Sequence, residues 1–94
     1  MHKYKYHPNI ISAAVEVDLH ALTVDEALLK LDQFLNDTFV AGLHQVRIVH
    51  GKGTGTLRQA VRRRLASHPL VESYRAGGYG EGGAGVTVVE LSPK

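Results

Sequence analysis

The sequence has 94 residues, 44% of them apolar and 21% charged, with no cysteine and a formal net charge of +2. That is the scale of one folded domain with one modest core, and the missing thiols exclude disulfides, thiolate zinc sites and thiol catalysis. No apolar run approaches the ~18 residues of a membrane span, and the start lacks the n-region, h-region and cleavage site of a secretory signal, so a cytoplasmic setting without a membrane partner is expected.

Residues 1–14 mix bases and tyrosines around Pro8 without periodicity, and they predict an extended lead-in or linker. Its Lys3, Tyr4, Lys5 and Tyr6 could meet nucleic acid by stacking and charge, but a poorly ordered terminus is the preferred reading. Val15 to His20 alternates apolar and polar, which predicts a half-buried strand. Thr23 with Glu26 forms a capping-box pattern, and Val24, Ala27, Leu28, Leu31, Phe34, Leu35 and Phe39 keep the helical period until Gly42. Val46–Val49 predicts a second strand that enters the glycine loop His50-Gly51-Lys52-Gly53-Thr54-Gly55. A second helix is expected from about Thr56 to Ser67, with Pro69 beyond its end. Val71 to Ala76 is a third strand, Gly77 to Gly85 a glycine-dense loop expected to be mobile with little part in the core, and Val86 to Leu91 a last, nearly continuous apolar strand.

The order β-α-β-α-β-β predicts an α/β, two-layer α+β sandwich over residues 15–94. Strands one and two are parallel, joined by a right-handed crossover, and the last two are antiparallel. Two helices on one face cover a four-stranded mixed sheet. The apolar last strand belongs in the interior and the third at an edge, giving the spatial order one, two, four, three.

The small net charge hides a segregation. Glu16 to Leu43 carries six acids against Lys30, and His44 to Ala76 carries seven bases against Glu72. A basic half suits a polyanionic partner, while a pair of solvated helices is the plain alternative. Asp18 and His20 project from one strand face, where a carboxylate orients an imidazole for acid–base work. Gly51, Gly53 and Gly55 allow close backbone approach to a ligand, and the following helix presents N–H groups and a positive dipole end suited to phosphate. Lys52 and Arg58 add charge there, and Arg62 lies in phase with Arg58 as a basic stripe. The loop is neither a Walker P-loop nor a dinucleotide fingerprint. His2, His7, His44 and His68 are assigned to structure or solvent.

Val17-Asp18-Leu19-His20-Ala21-Leu22-Thr23, His50-Gly51-Lys52-Gly53-Thr54-Gly55 and Gly82-Gly83-Ala84-Gly85-Val86-Thr87-Val88-Val89-Glu90-Leu91 together resemble the Smr (small MutS-related) domain over about residues 15–91. The form is that found at the C-terminus of bacterial MutS paralogues. The family fold resembles the C-terminal domain of translation initiation factor three, in agreement with the order read from pattern.

The resemblance implies nucleic-acid binding with nicking endonuclease activity, on branched DNA in the suppression of homologous recombination. It also implies a second role on collided ribosomes, through rRNA or mRNA. Its Asp-x-His-Gly motif maps to Asp18 and His20, and its His-Gly-x-Gly motif to His50, Gly51 and Gly53. Ala21 departs from the pattern, standing where glycine is usual, and puts the catalytic geometry in question. Asp18, His20 and His50 are thus the expected catalytic residues, and Gly51, Lys52, Gly53, Gly55, Arg58 and Arg62 the expected nucleic-acid contacts. A divalent cation (Mg²⁺ or Mn²⁺) on Asp18 is left open, since one carboxylate and two imidazoles make a poor magnesium cage. Tethering to a MutS-type ATPase in a parent chain is also implied. The alternative is a non-catalytic module that recruits its parent to branched DNA or ribosomes; a small-molecule phosphate enzyme is disfavoured by the lack of apolar sequence around the loop.

Overall fold

The computed structural model describes residues 5–8 and 13–94. Its elements are β1 (Lys5–Pro8), β2 (Ala13–Asp18), α1 (Val24–Val40), β3 (Gln45–Val49), α2 (Thr56–Ala66), β4 (Val71–Ala76) and β5 (Val86–Leu91), with a 3-10 turn at Gly83–Gly85. The strands lie side by side in the order β1-β2-β3-β5-β4. β2 and β3 are parallel, with Val17 opposite Ile48, and β5 runs antiparallel to both β3 and β4. Within the four expected strands the order is the one the polarity of each strand requires.

The sheet gains a fifth strand at its edge. Lys5–Pro8, inside the segment expected to be a lead-in, pairs antiparallel with β2, placing Lys5 opposite Glu16. Pairing covers a strand edge that otherwise exposes a row of unsatisfied N–H and C=O groups. Four residues ending in proline carry no alternation that a sequence pattern could detect. Lys3 and Tyr4 of the basic–aromatic run, like residues 9–12, lie outside the described residues.

Both helices cover the same sheet face. Val17, Leu19, Val46, Ile48, Val89 and Leu91 from the strands meet Ala27, Leu31, Phe34 and Leu35 of α1 and Val61 and Leu65 of α2 in one buried cluster. The α1 residues repeat at helical spacing, so burial of this stripe sets the helix on the sheet. At its start, Thr23 accepts from the Glu26 N–H and Glu26 accepts from the Thr23 N–H. Acidic α1 and basic α2 are joined through Asp32, which accepts from Arg64 Nη1 at 2.5 Å and lies 3.5 Å from His68 Nε2. These half-exposed pairs are worth at most ~1 kcal/mol each. They show why the opposite charges segregate along the sequence yet meet in space.

β2 ends at Asp18 rather than at His20. Leu19 N–H still bonds Val49 O at 2.7 Å, and then Leu22 N–H bonds Leu19 O at 3.2 Å, closing a tight turn with His20 and Ala21 at its corners. Ala21 has φ +67°, and among the described residues no other non-glycine has positive φ. Negative φ at the first corner and positive φ at the second is the type II pattern, which favours glycine where Ala21 stands. Alanine therefore leaves the loop in place and adopts the left-handed conformation at a cost of about 1–2 kcal/mol.

The Gly77–Gly85 loop takes more part in the core than expected. Val86 and Val88 sit on the sheet face opposite the helices, yet they are only 6% and 0% exposed. The loop folds back over the start of this strand: a Cβ on Gly82 would come within 2.3 Å of Val86 Cγ2. The stems of Arg47 and Arg75 flank Val88 on the neighbouring strands. Glu81 closes the loop, accepting from Arg75 Nη1 at 2.7 Å and Nη2 at 2.9 Å and from Gly78 N–H at 2.8 Å. Six glycines in nine residues are thus held by charge-assisted bonds rather than by side-chain burial. The loop is part of the core's cover.

Two outcomes follow from these loops. The Arg75 guanidinium, then the Gly78 N–H, hold the Glu81 carboxyl down from the ordinary 4.5 to about 2. A lowered folded-state value stabilises the fold above the ordinary one and loses that contribution as pH falls toward about 2. Urea unfolding should therefore show Glu81→Gln less stable than wild type at pH 7, with the gap closing between pH 4.5 and 2; a gap independent of pH would contradict the clamp. Ala21→Gly should raise stability by about 0.5–1 kcal/mol, the relieved left-handed strain less the added backbone entropy of glycine. A lower denaturation midpoint would count against a strained Ala21.

Candidate functional site

The carboxyl ends of the parallel pair β2 and β3 meet the N-termini of both helices. There a cleft of about 350 Å³ opens, lined by residues 21–24 and 50–58. This is where an open α/β sheet places its ligands, because loops leaving neighbouring parallel strands must diverge around the helix starts.

At the rim stands the pair Asp18 and His20. Asp18 Oδ1 lies 2.5 Å from His20 Nδ1 and also accepts the His20 N–H at 3.1 Å. A carboxylate accepts, so Nδ1 carries the hydrogen and Nε2 is the ring nitrogen left for chemistry. The His20 side chain is 63% exposed. The pair arises from the turn rather than from strand alternation, but it brings together the residues expected to meet. Gly51, at φ +82°, brings the two loops close: a Cβ there would meet the His20 Cβ at 3.4 Å.

The two helix starts differ in what they offer. The α1 end is closed by its capping box and faced by Asp25 and Glu26, which repel an anion. The α2 end begins at Gly55, in the left-handed region, with no side-chain cap and no acid in its first turn. Thr54 Oγ1 accepts the Thr56 N–H at 3.4 Å, and the remaining first-turn N–H groups and positive dipole end are available to an anion. Arg58 Nη2 lies over Gly55, where a Cβ would meet it at 2.9 Å, and the Lys52 stem runs beside Gly85. Lys52, Gly53 and Thr54 are exposed on the outer side of the loop. Lys52, Gly51, Gly53, Gly55 and Arg58 are thus brought to one cleft.

Arg62 is not part of an outward stripe. Its Nε donates to Thr87 Oγ1 at 3.4 Å, turning the side chain inward beneath the cleft. The same hydroxyl lies 2.9 Å from His50 Nε2, while His50 Nδ1 lies 2.8 Å from Gly51 O. The carbonyl can only accept, so Nδ1 donates to it and Nε2 accepts from Thr87. His50 is 4% exposed. Burial pushes its pKa below the ordinary 6.5, partly offset by the Gly51 carbonyl, and the Arg62 and Arg58 charges push it further down. His50 is a neutral ring with both nitrogens engaged. Thr87 and Gly85 were missed by sequence reasoning, although a lone hydroxyl in the apolar run Val86–Val89 is a signal that could have found Thr87. Gly85 O accepts both the His50 N–H at 3.1 Å and the Gly51 N–H at 3.0 Å.

Among the described residues no three His, Asp or Glu side chains gather as a metal-binding group. Asp18 Oδ1 is engaged by His20, so the pair by itself offers few of the oxygen ligands that a magnesium or manganese ion takes. Among the same residues no helix is long and apolar enough to cross a membrane.

Comparison with known proteins agrees with this architecture. The family model described as Smr domain matches residues 17–92. The chain is 62% identical over 76 residues to Endonuclease MutS2 of Symbiobacterium thermophilum, covering 81% of this chain and 10% of that protein. It is 54% identical over 80 residues to Endonuclease MutS2 of Caldicellulosiruptor saccharolyticus, covering 85% and 10%. The chain thus spans about a tenth of the length of these curated relatives. Its fold matches the crystal structure of the Smr domain of Thermus thermophilus MutS2 with TM-score 0.81 and 55% identity, over 83% of this chain and 98% of that one. It also matches YdaL, a stand-alone small MutS-related protein from Escherichia coli, with TM-score 0.77 and 28% identity over 81% and 63%. With the family model running from the end of β2 through β5 and these relatives sharing both sequence and fold, the chain belongs to the Smr domain family.

Proposed function

We propose that this domain binds nucleic acid at the Gly51–Gly55 cleft and nicks a phosphodiester bond at its rim. The observation that carries the reading is the oriented Asp18–His20 pair near Gly51, beside a helix start whose N-cap is a glycine with no acid in the first turn. A phosphate takes the open N–H groups of α2, with Lys52 and Arg58 flanking it and Gly51, Gly53 and Gly55 allowing close approach. His20 Nε2 accepts a proton from water as the water oxygen attacks phosphorus. The P–O bond to the leaving strand then breaks, and the departing oxygen takes back a proton from the imidazolium or from solvent. Asp18 keeps Nδ1 protonated and aimed. No step runs through a metal ion.

His50 is assigned a positioning role in place of the proton transfer its motif suggested, because both ring nitrogens are used inside the fold. Arg62 supports it through Thr87. The similarity to proteins named endonucleases supports the reaction class. Action on branched DNA within a MutS-type parent is the substrate assignment. The second reading is a non-catalytic module that recruits its parent to branched DNA or to collided ribosomes. Engagement of His50 favours it, since one outward imidazole remains where two were expected. Ala21 no longer favours it, because it holds the glycine conformation.

Plasmid nicking and fluorescence-anisotropy binding, each with and without Mg²⁺ or Mn²⁺, separate the two. His20→Ala should lower nicking by about 10²–10⁴-fold with binding within twofold, and Asp18→Asn should lower it in the same direction. His50→Ala should lower binding and nicking together. Robust wild-type binding with no nicking under any condition would establish the second reading instead. Lys52→Ala should reduce the slope of log affinity against log salt by about one unit. Lys94→Ala, whose ammonium bonds Val40 O at the far end of α1, should leave the slope unchanged; equal effects from both would contradict a localised site.

A further inference from the structure

The loop between β4 and β5 carries three side chains on nine residues: Tyr79, Glu81 and Ala84. Glu81 is committed to holding the loop, through both Arg75 nitrogens and the Gly78 N–H. Its own N–H bonds Gly78 O at 3.0 Å, so residues 78–81 form a tight turn pinned by side chain and backbone of the same residue. Gly80 holds φ +82° at the third position of that turn, and Tyr79 is left at the tip. The Tyr79 ring is 107% exposed and packs on nothing. The clamp holds through the physiological range, since the Glu81 carboxyl titrates at about 2.

The root of this loop is shared with the cleft. Gly85 O accepts the N–H groups of His50 and Gly51, and Gly77 N–H bonds Val86 O at 2.9 Å. The Lys52 stem lies against Gly85. A fully exposed aromatic ring on a braced turn, in a loop whose root at Gly85 borders the basic cleft, is a preorganised stacking surface. It binds a flat partner without first losing loop entropy. A fully paired duplex hides its base faces, whereas an unpaired base offers one.

We propose that Tyr79 stacks on an unpaired base of the nucleic acid held in the cleft, so that the domain selects substrates with a single-stranded flank or branch. The assignment rests on the cleft reading above and adds to it a basis for substrate choice.

The test uses four fluorescein-labelled probes with the wild-type 94-residue domain and its variants. These are a blunt DNA duplex, the same duplex with a single-stranded flap, and the RNA counterpart of each. Tyr79→Ala should weaken binding to a flapped probe by about 5- to 150-fold and leave both blunt probes within twofold. Tyr79→Trp should retain flap binding. The DNA and RNA arms show which backbone presents the base. Equal weakening on blunt and flapped probes, no weakening on either flapped probe, or a Trp variant as weak as the Ala variant would overturn the proposal. Lys52→Ala separates the two levels. If it weakens all probes while Tyr79→Ala weakens none, the cleft stands and the stacking role falls. If Lys52→Ala weakens none, the cleft reading falls and this proposal with it.

Discussion

The site depends on a buried imidazole. His50 leaves the end of β3 on the helix-facing side of the sheet and is trapped there between Gly51 O and the Thr87 hydroxyl. One neutral tautomer satisfies both partners, with Nδ1–H donating to the Gly51 carbonyl and Nε2 accepting from the Thr87 hydroxyl. This contact ties the glycine loop to the central strand β5. Without it, a segment with three glycines in five residues would have a large ordering entropy and almost no side chains to offset it. Gly85 O adds the backbone half of the same junction by accepting from His50 and Gly51. The loops after β3 and before β5 thus share one anchor.

The charge asymmetry acquires meaning at the helix ends. α1 and α2 both start at the cleft, and a symmetrical arrangement would offer two anion sites. The capping box and first-turn acids of α1 close one of them, and the bare glycine start of α2 leaves the other open. The proposed phosphate seat is therefore defined as much by the repulsion on one side as by Lys52 and Arg58 on the other. Behind the cleft, Asp32 of α1 meets Arg64 of α2, so acidic and basic halves also face one another within the fold.

Much of this was legible in the sequence. The order of the four main strands followed from which were apolar on both faces, and α1 from the stripe through Leu31, Phe34 and Leu35. The cleft followed from glycine spacing at the end of a parallel strand. What was hidden was hidden for physical reasons. Lys5–Pro8 pairs through backbone alone, which no side-chain period records. Asp18 and His20 were expected on one strand face, whereas a type II turn makes the contact; both arrangements place residues two apart in reach. The resemblance made His50 a catalytic candidate because motif membership does not report burial. The glycine-dense loop looked like pure entropy because the partner of Glu81, Arg75, lies on the preceding strand and becomes a neighbour only once the hairpin closes.

The central claim is that His50 is a fixed, neutral support and His20 the group that meets substrate. The most direct measurement is a long-range ¹H–¹⁵N NMR correlation of the imidazole rings across a pH titration, which reports tautomer and charge of each histidine. Burial, against the pull of the Gly51 carbonyl, lowers the His50 pKa below 6.5. The account therefore predicts that at pH 6.5 His50 is predominantly neutral, with its hydrogen on Nδ1. A His50 ring that is mostly charged at that pH, or whose neutral form carries its hydrogen on Nε2, would contradict it.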